Sequence, residues 1–233
     1  MKYMGSKNRI AKHILPIMLK EMQDKGYITW VEPFVGGGNM IDKVPFKYKR
    51  IGSDLNEHTI AAMIGIRDFI DQLPYEVSKD IYQQVKGSSP HPINSWIRYE
   101  CSFGSKLDNG YASNSEGRNY AEKGKNLAVK QSPKIQDVDF ICCNYLELST
   151  LTNSLIYCDP PYQGTTRYKT GAFNHEEFFD WCRKMKAKGN SVFVSEYNAP
   201  EDFELVWQGE IKTNFSSQRK EATHKAVEKL FKV

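Results

Sequence analysis

Long hydrophobic runs are missing: nothing in the 233 residues approaches the roughly 18 that a membrane-spanning helix needs. The opening residues, Met1-Lys2-Tyr3-Met4-Gly5-Ser6-Lys7, are polar at once and lack the apolar core and small-residue cleavage site of a signal peptide. Cysteine is sparse. Cys101, Cys142, Cys143, Cys158 and Cys182 are odd in number, and no two stand in the C-x-x-C spacing of a zinc or redox site. These absences exclude a membrane protein, a secreted precursor and a disulfide scaffold. The expectation is a cytoplasmic protein with reduced, inward-facing cysteines and no metal. Neither sign of charge dominates: 32 basic and 28 acidic residues leave +4, which permits a polyanionic partner without demanding one. With 40% hydrophobic and 26% charged residues, the chain has enough apolar material for one core, in a single domain or a domain with an insertion.

What is present has an α/β rhythm. Ile10, Ile14, Leu15, Met18, Leu19 and Met22 form a helical stripe over Asn8 to Met22, with Pro16 as an expected kink and Gly26 as a stop. A short strand, Tyr27 to Val31, runs into Glu32-Pro33-Phe34-Val35-Gly36-Gly37-Gly38. A second strand, Arg50 to Asp54, ends on an acid, and a helix is expected from about His58 to Leu73. Strand, glycine turn, helix, strand, acid is the signature of a parallel sheet. Residues 74–135 differ: glycine, serine and asparagine are dense, aromatics are interleaved, and Asn109-Gly110 marks a tight turn. The alternation resumes with strands at Phe140–Cys143, Leu155–Cys158 and Ser191–Ser195 and a helix from His175 to Lys188. Short strands at Phe203–Trp207 and Glu210–Thr213 and a basic amphipathic finish from Lys220 to Val233 follow. The division expected is a catalytic domain of residues 1–73 and 136–233 carrying an insertion of residues 74–135.

Three segments carry chemistry. Asp159-Pro160-Pro161-Tyr162 ends an apolar strand, where open α/β sheets bind ligands. An Asp carboxylate and a backbone carbonyl held by the fixed φ of Pro160 are two acceptors for one nucleobase NH₂, and Tyr162 offers a face for stacking. Two acceptors on one amino group localise its lone pair for attack on an electrophilic methyl. In the Glu32 to Gly38 loop, glycines admit a ligand to the backbone. Asp54, eighteen residues after Gly36, is placed to accept from ribose hydroxyls. This is no G-x-G-x-x-G dinucleotide loop, because Ile41 stands three residues after Gly38, which disfavours a nicotinamide oxidoreductase. Glu32 would repel a pyrophosphate and suits a cationic cofactor. Near the start, Lys7 can hold a ligand carboxylate and Tyr3 can pack on a ring.

In this order the three segments resemble the Dam-type (D12 class) DNA adenine methyltransferases. The matching pieces are Lys2-Tyr3-Met4-Gly5-Ser6-Lys7, Glu32 to Gly38, Asp54-Leu55-Asn56, Asp159 to Tyr162 and the ending Thr223-His224-Lys225-Ala226-Val227-Glu228-Lys229-Leu230-Phe231. The short insertion, with Gly110-Tyr111-Ala112, looks like that of phage-encoded members, and a restriction-modification role is in the family's range. The resemblance implies a Rossmann-like S-adenosylmethionine-dependent fold with a small target-recognition insertion. It implies methyl transfer to N6 of an adenine flipped out of double-stranded DNA, by a monomer. Asp159, Pro160, Pro161 and Tyr162 would be the catalytic residues. Tyr3, Met4, Gly5, Lys7, Glu32, Phe34, Gly36, Gly38, Asp54, Asn56, Asn144 and Asp159 would surround the cofactor, with Lys7 near its carboxylate. Asn144 departs from the pattern, since the family often carries an acid after the third strand. The alternatives are the same chemistry on cytosine N4 or RNA, and a catalytically silent DNA-binding protein.

A DNA substrate gives the charge distribution a purpose. Residues 1–25, 96–134 and 212–233 carry net charges of +4, +3 and +4, so the remainder is acidic. Arg98, Lys106 and Arg118 in the insertion are the candidates for base or phosphate contacts.

Overall fold

The computed structural model describes residues 1–113, 118–162, 173–212 and 225–233, with backbone only at 211, 212, 225 and 226. Seven strands form one sheet: β1 Thr29–Glu32, β2 Lys49–Asp54, β3 Val138–Cys142, β4 Ser154–Cys158, β5 Ser191–Ser195, β6 Glu204–Lys212 and β7 Lys225–Lys232. Their order is β3-β2-β1-β4-β5-β7-β6, all parallel except β7, which runs antiparallel between β5 and β6. The chain winds outward from β1 to β3, then crosses back to place β4 on the other side of β1. That reversal opens a crevice at the carboxyl ends of β1 and β4, where doubly wound sheets bind ligands.

Alternate residues of the strands feed two cores. Trp30, Leu155, Tyr157, Phe193 and Leu230 face the larger one, with Ile14, Met18 and Met22 of α1 (Ala11–Lys25) and Ile60, Met63 and Ile66 of α2 (Glu57–Asp68). Val31, Ile156, Cys158, Val192, Val194 and Phe231 face the other, against Phe178, Trp181, Cys182 and Met185 of α6 (His175–Ala187). Every residue of β4 and β5 is buried, as central parallel strands require.

The middle region contributes α3 (Lys79–Val85), α4 (Pro92–Glu100) and α5 (Tyr120–Gln131). Trp96, Ile97, Tyr99 and Ala128 of these helices belong to the larger core. At Gly65 in α2, a Cβ would stand 2.6 Å from the carbonyl oxygen of Pro92, so α2 and α4 approach more closely than any side chain allows. The Asn109-Gly110 turn closes a short loop bridged antiparallel at Ser102 and Tyr111.

Several expectations need correction. Helix α1 starts at Ala11 and passes unbroken through Pro16. Pro16 is exposed, so the carbonyl it deprives of a partner faces water. Helix α2 stops at Asp68, and a 3₁₀ turn carries the chain to Gln72. The two short strands expected after Phe203 are one strand, β6, irregular between Leu205 and Trp207. Thr213 and residues 220–224 of the basic finish lie outside the described residues, and the rest of that finish is β7. Cys142 is exposed and Cys143 half-buried because β3 is an edge strand; Cys101, Cys158 and Cys182 do face inward.

Candidate active site

Three carboxylates stand at the carboxyl ends of neighbouring strands. Glu32 ends β1, Asp54 ends β2 and Asp159 follows β4. The Glu32 side chain is 3% exposed and accepts from Trp30 Nε1 at 2.9 Å; burial pushes its pKa up to about 8 despite that bond. Asp54 Oδ2 accepts from Gly36 N at 3.2 Å and Oδ1 from Asn56 N at 2.9 Å, so the acid of β2 fastens the glycine loop of β1. Burial raises Asp54 to about 6, against those two bonds.

The loop after β1 needs its glycines. Gly36 has φ +48° and Gly38 φ +66°, in the left-handed region. A Cβ on Gly36 would stand 2.8 Å from the ring of Tyr3, and one on Gly37 would stand 2.7 Å from Tyr3 Cβ. The opening segment therefore lies directly on the loop. Gln131 at the end of α5 donates to the Gly37 carbonyl at 2.9 Å and the Gly38 carbonyl at 3.2 Å. Phe34 turns to the α6 face, 5.5 Å from the Tyr145 ring and 5.6 Å from Phe178.

The first turn of the chain delivers a lysine to the Asp-Pro-Pro-Tyr motif. Met4 and Gly5 form a turn in which Gly5 has φ +81°, and the Gly5 carbonyl accepts from Lys7 Nζ at 3.0 Å. Lys7 Nζ then reaches Asp159 Oδ1 at 2.9 Å and Glu228 Oε2, on β7, at 3.8 Å. It also sits over the Tyr162 ring, 4.5 Å from the centroid. Tyr162 donates its hydroxyl to Glu228 Oε2 at 2.7 Å and meets the Tyr197 ring edge-to-face at 4.6 Å. Burial pushes Asp159 up to about 6, and Lys7 draws it only part of the way back. For Lys7, burial alone would lower the ammonium, but Asp159 and Glu228 outweigh it and hold it above its ordinary value. His175 Nε2 lies 3.0 Å from the Pro161 carbonyl and 3.8 Å from Glu196.

Not every residue singled out in the sequence faces this crevice with a free side chain. Asn56 caps α2 by accepting from His58 N at 3.0 Å, and its amide donates to the Tyr99 hydroxyl at 3.2 Å. Asn144 accepts from Leu146 N at 3.0 Å while Glu147 accepts from Asn144 N at 2.7 Å, a reciprocal cap on a 3₁₀ turn. Arg98 faces inward. It is 3% exposed, its guanidinium is 2.5 Å from Asp108, and it donates to the Ser88 carbonyl at 2.5 Å. Lys106 and Arg118 are exposed.

Much of the sequence's positive charge is matched within the protein: Lys2 by Glu100 at 3.6 Å, Lys20 by Asp24 at 2.5 Å and Lys232 by Glu21 at 2.8 Å. Arg219 and Lys220, counted in the C-terminal basic region, lie outside the described residues. Between the start of α1 and β6, a groove of about 530 Å³ is lined by Arg9, Lys12, His13, Trp207 and Glu210. His13 and Trp207 stack there with centroids 5.9 Å apart.

The sequence did not single out Glu228, Tyr197, His175 or Glu196 as site residues. Glu228 stood in the sequence only as part of the family-like ending Thr223 to Phe231, an acid among Lys225, Lys229 and Lys232 with no role given to it.

Residues 3–90 and 105–227 match the family model of the D12 class N6 adenine-specific DNA methyltransferases. Modification methylase StsI of Streptococcus sanguinis is 26% identical over 221 residues, covering 80% of this chain and 31% of StsI. Type II methyltransferase M.MjaIII of Methanocaldococcus jannaschii is 23% identical over 253 residues, covering 90% of this chain and 87% of that one. Type II methyltransferase M.FokI of Planomicrobium okeanokoites is 24% identical over 215 residues, covering 80% and 32%. The chain thus spans about a third of the length of StsI and of M.FokI, and most of M.MjaIII.

Proposed function

Because the chain belongs to the D12 class N6 adenine-specific DNA methyltransferase family, we propose that it methylates N6 of an adenine turned out of duplex DNA, with S-adenosylmethionine as donor. The observation that carries this reading is the meeting of Lys7, Asp159 and Tyr162 at the carboxyl end of β4, beside the glycine loop of β1.

The donor set fits the cofactor. Asp54 and Asp159, raised to about 6, stay ionised at neutral pH and give the crevice a negative side suited to a cation, while Glu32, pushed up to about 8, is mostly protonated there in the free protein. Each oxygen of Asp54 already accepts one backbone N–H and retains a lone pair for a ribose hydroxyl. Tyr3, Met4, Gly5, Phe34, Gly36 and Gly38 would border the cofactor, while Asn56 and Asn144 hold the loops around it by capping. When bound, S-adenosylmethionine supplies a methyl group activated on a sulfonium.

The protein's own part is to bring the amino group there as a nucleophile. The N6 amino group is paired within the duplex, so the base must leave the stack. Lys7 sits over the Tyr162 ring, and that ring is the stacking surface for the adenine. Asp159 accepts one N6–H and a proline-held backbone carbonyl accepts the other, which localises the nitrogen lone pair. Methyl transfer would form the C–N bond as the methyl–sulfur bond breaks, and the N6 proton would then pass to solvent, so no strong base is needed among these residues. Residues 74–135 act as the target-recognition insertion, with Lys106 and Arg118 toward DNA. The groove of Arg9, Lys12, His13 and Trp207 is a second place for a phosphate backbone with a stacking side chain.

The test is transfer of labelled methyl to duplex DNA, with the product identified by mass spectrometry. N6-methyladenine is expected, lost in folded Asp159→Ala. Label found only on cytosine or RNA would overturn the assignment.

A further inference from the structure

One carboxylate in the crevice has no part in that mechanism. Glu228 lies on β7, the strand reversed between β5 and β6, one residue past the family match. Its Oε2 accepts the Tyr162 hydroxyl at 2.7 Å and stands 3.8 Å from Lys7 Nζ. Its side chain is 13% exposed, against 22% for Asp159 and 6% for Lys7.

We propose that Glu228 is a positioning residue of the methyl-transfer site: it fixes Tyr162 through its hydroxyl and shares Lys7 with Asp159, leaving Asp159 able to accept the incoming amino group. The proposal rests on the reading of Asp159 to Tyr162 as the methyl-transfer motif. The physical need is plain. A largely buried lysine with one acidic partner would rest its whole charge on that partner and leave the Asp159 carboxylate a weaker acceptor for the base. A second carboxylate 3.8 Å from the ammonium divides its attraction. The same carboxylate holds Tyr162 by its hydroxyl, so the ring keeps its place against Lys7. Asp159 also senses Tyr157 of β4, Glu32 of β1, and Tyr162 and Tyr197 from the loops, but Lys7 and Glu228 are its charged partners of opposite effect.

Two measurements test it on the full chain. In Glu228→Gln the negative neighbour is gone and Lys7 falls wholly to Asp159, so the Asp159 carboxyl must titrate at lower pH. Carbon-13 NMR of that carboxyl reads this without turnover, and an unchanged titration in a folded variant overturns the sharing of Lys7. The second is a kinetic cycle of E228Q, Y162F and the double variant, with labelled methyl transfer as readout. Each single change is expected to lower kcat roughly tenfold to a hundredfold, the range for a hydrogen bond to a charged group. The double is expected to lose no more than the worse single, with cofactor affinity by calorimetry kept. Glu228→Asp is expected to restore part of kcat. Additive losses, or wild-type kcat in E228Q, overturn the positioning of Tyr162. Should E228Q melt early, Y162F deletes the same bond from the other end and must show the same fall in kcat. An inactive wild type in which the NMR shift still appears would sink the methylation reading and leave the arrangement standing.

Discussion

The ammonium of Lys7 lies 2.9 Å from the carboxylate of Asp159, joining the first turn of the chain to the end of β4. In the proposed mechanism this pair decides the charge of the group that accepts the substrate's amino hydrogen, and its consequences can be measured.

Activity should fall on the acid side. Burial raises Asp159 to about 6, so its carboxylate is ionised above that pH and protonated below it. The kcat profile is expected to have an acidic limb near that value. Removing the cation in Lys7→Met raises the Asp159 pKa further, so the limb moves to higher pH and kcat at neutral pH drops. A limb that moves the other way would contradict the pairing.

Glu32 should make the cofactor-free protein less stable in alkali. Its carboxyl titrates at an ordinary 4.5 when unfolded and at about 8 in the fold, because burial disfavours the charge. Folding therefore takes up a proton between those values, and stability declines as pH rises through the window. Glu32→Gln is expected to melt higher than wild type near the top of the window, by an amount on the order of a few kcal/mol. The two should converge below the bottom of it. Calorimetry should show cofactor binding weakened in the same variant. Thermal melts across the window decide the first point.

Arg98 and Lys106 should separate cleanly. Losing the Arg98 guanidinium breaks its ion pair with the largely buried Asp108, which costs about 3–5 kcal/mol. Arg98→Ala is expected to lower the melting temperature. Lys106→Ala, at an exposed site, should leave stability alone and reduce the salt slope of DNA binding by about one ion. Normal stability in R98A, with a changed DNA slope, would reverse the assignments.

Gly36→Ala should strike binding harder than folding. The residue adopts φ +48°, and its Cβ would press on the Tyr3 ring at 2.8 Å. The left-handed backbone costs about 1–2 kcal/mol in stability. Displacing Tyr3 should raise the cofactor Kd by more than that strain alone predicts, as calorimetry beside a melt would show.

The sheet was largely legible in the sequence because its strands are short apolar runs ending on acids or glycines, and Asp54 and Asp159 mark strand ends directly. The partners of those acids were not. Nothing local links Lys7 to Asp159, or Tyr162 to Glu228, since only the β5-β7-β6 order brings β7 to the crevice. Arg98 looked like a surface base contact because Asp108, ten residues on, reaches it only after the Asn109-Gly110 turn is made. Cys142 looked buried because an apolar run does not say which strand will be at the edge. Pro16 looked like a break because sequence does not show that its bare carbonyl would face water.

The contact at Gly65 has a practical reach. On the proposed reading residues 74–135 are the recognition region, and retargeting by exchange supposes that such a region can be lifted out as a cassette. Here α4 presses backbone to backbone on α2, at a spacing only glycine tolerates. A transplanted α4 of slightly different tilt would meet α2 itself, which begins at Glu57, shortly after Asp54 ends β2. A graft that ignores this should disturb cofactor binding before it alters the DNA sequence chosen. A working exchange would carry α2 along with its partner helix.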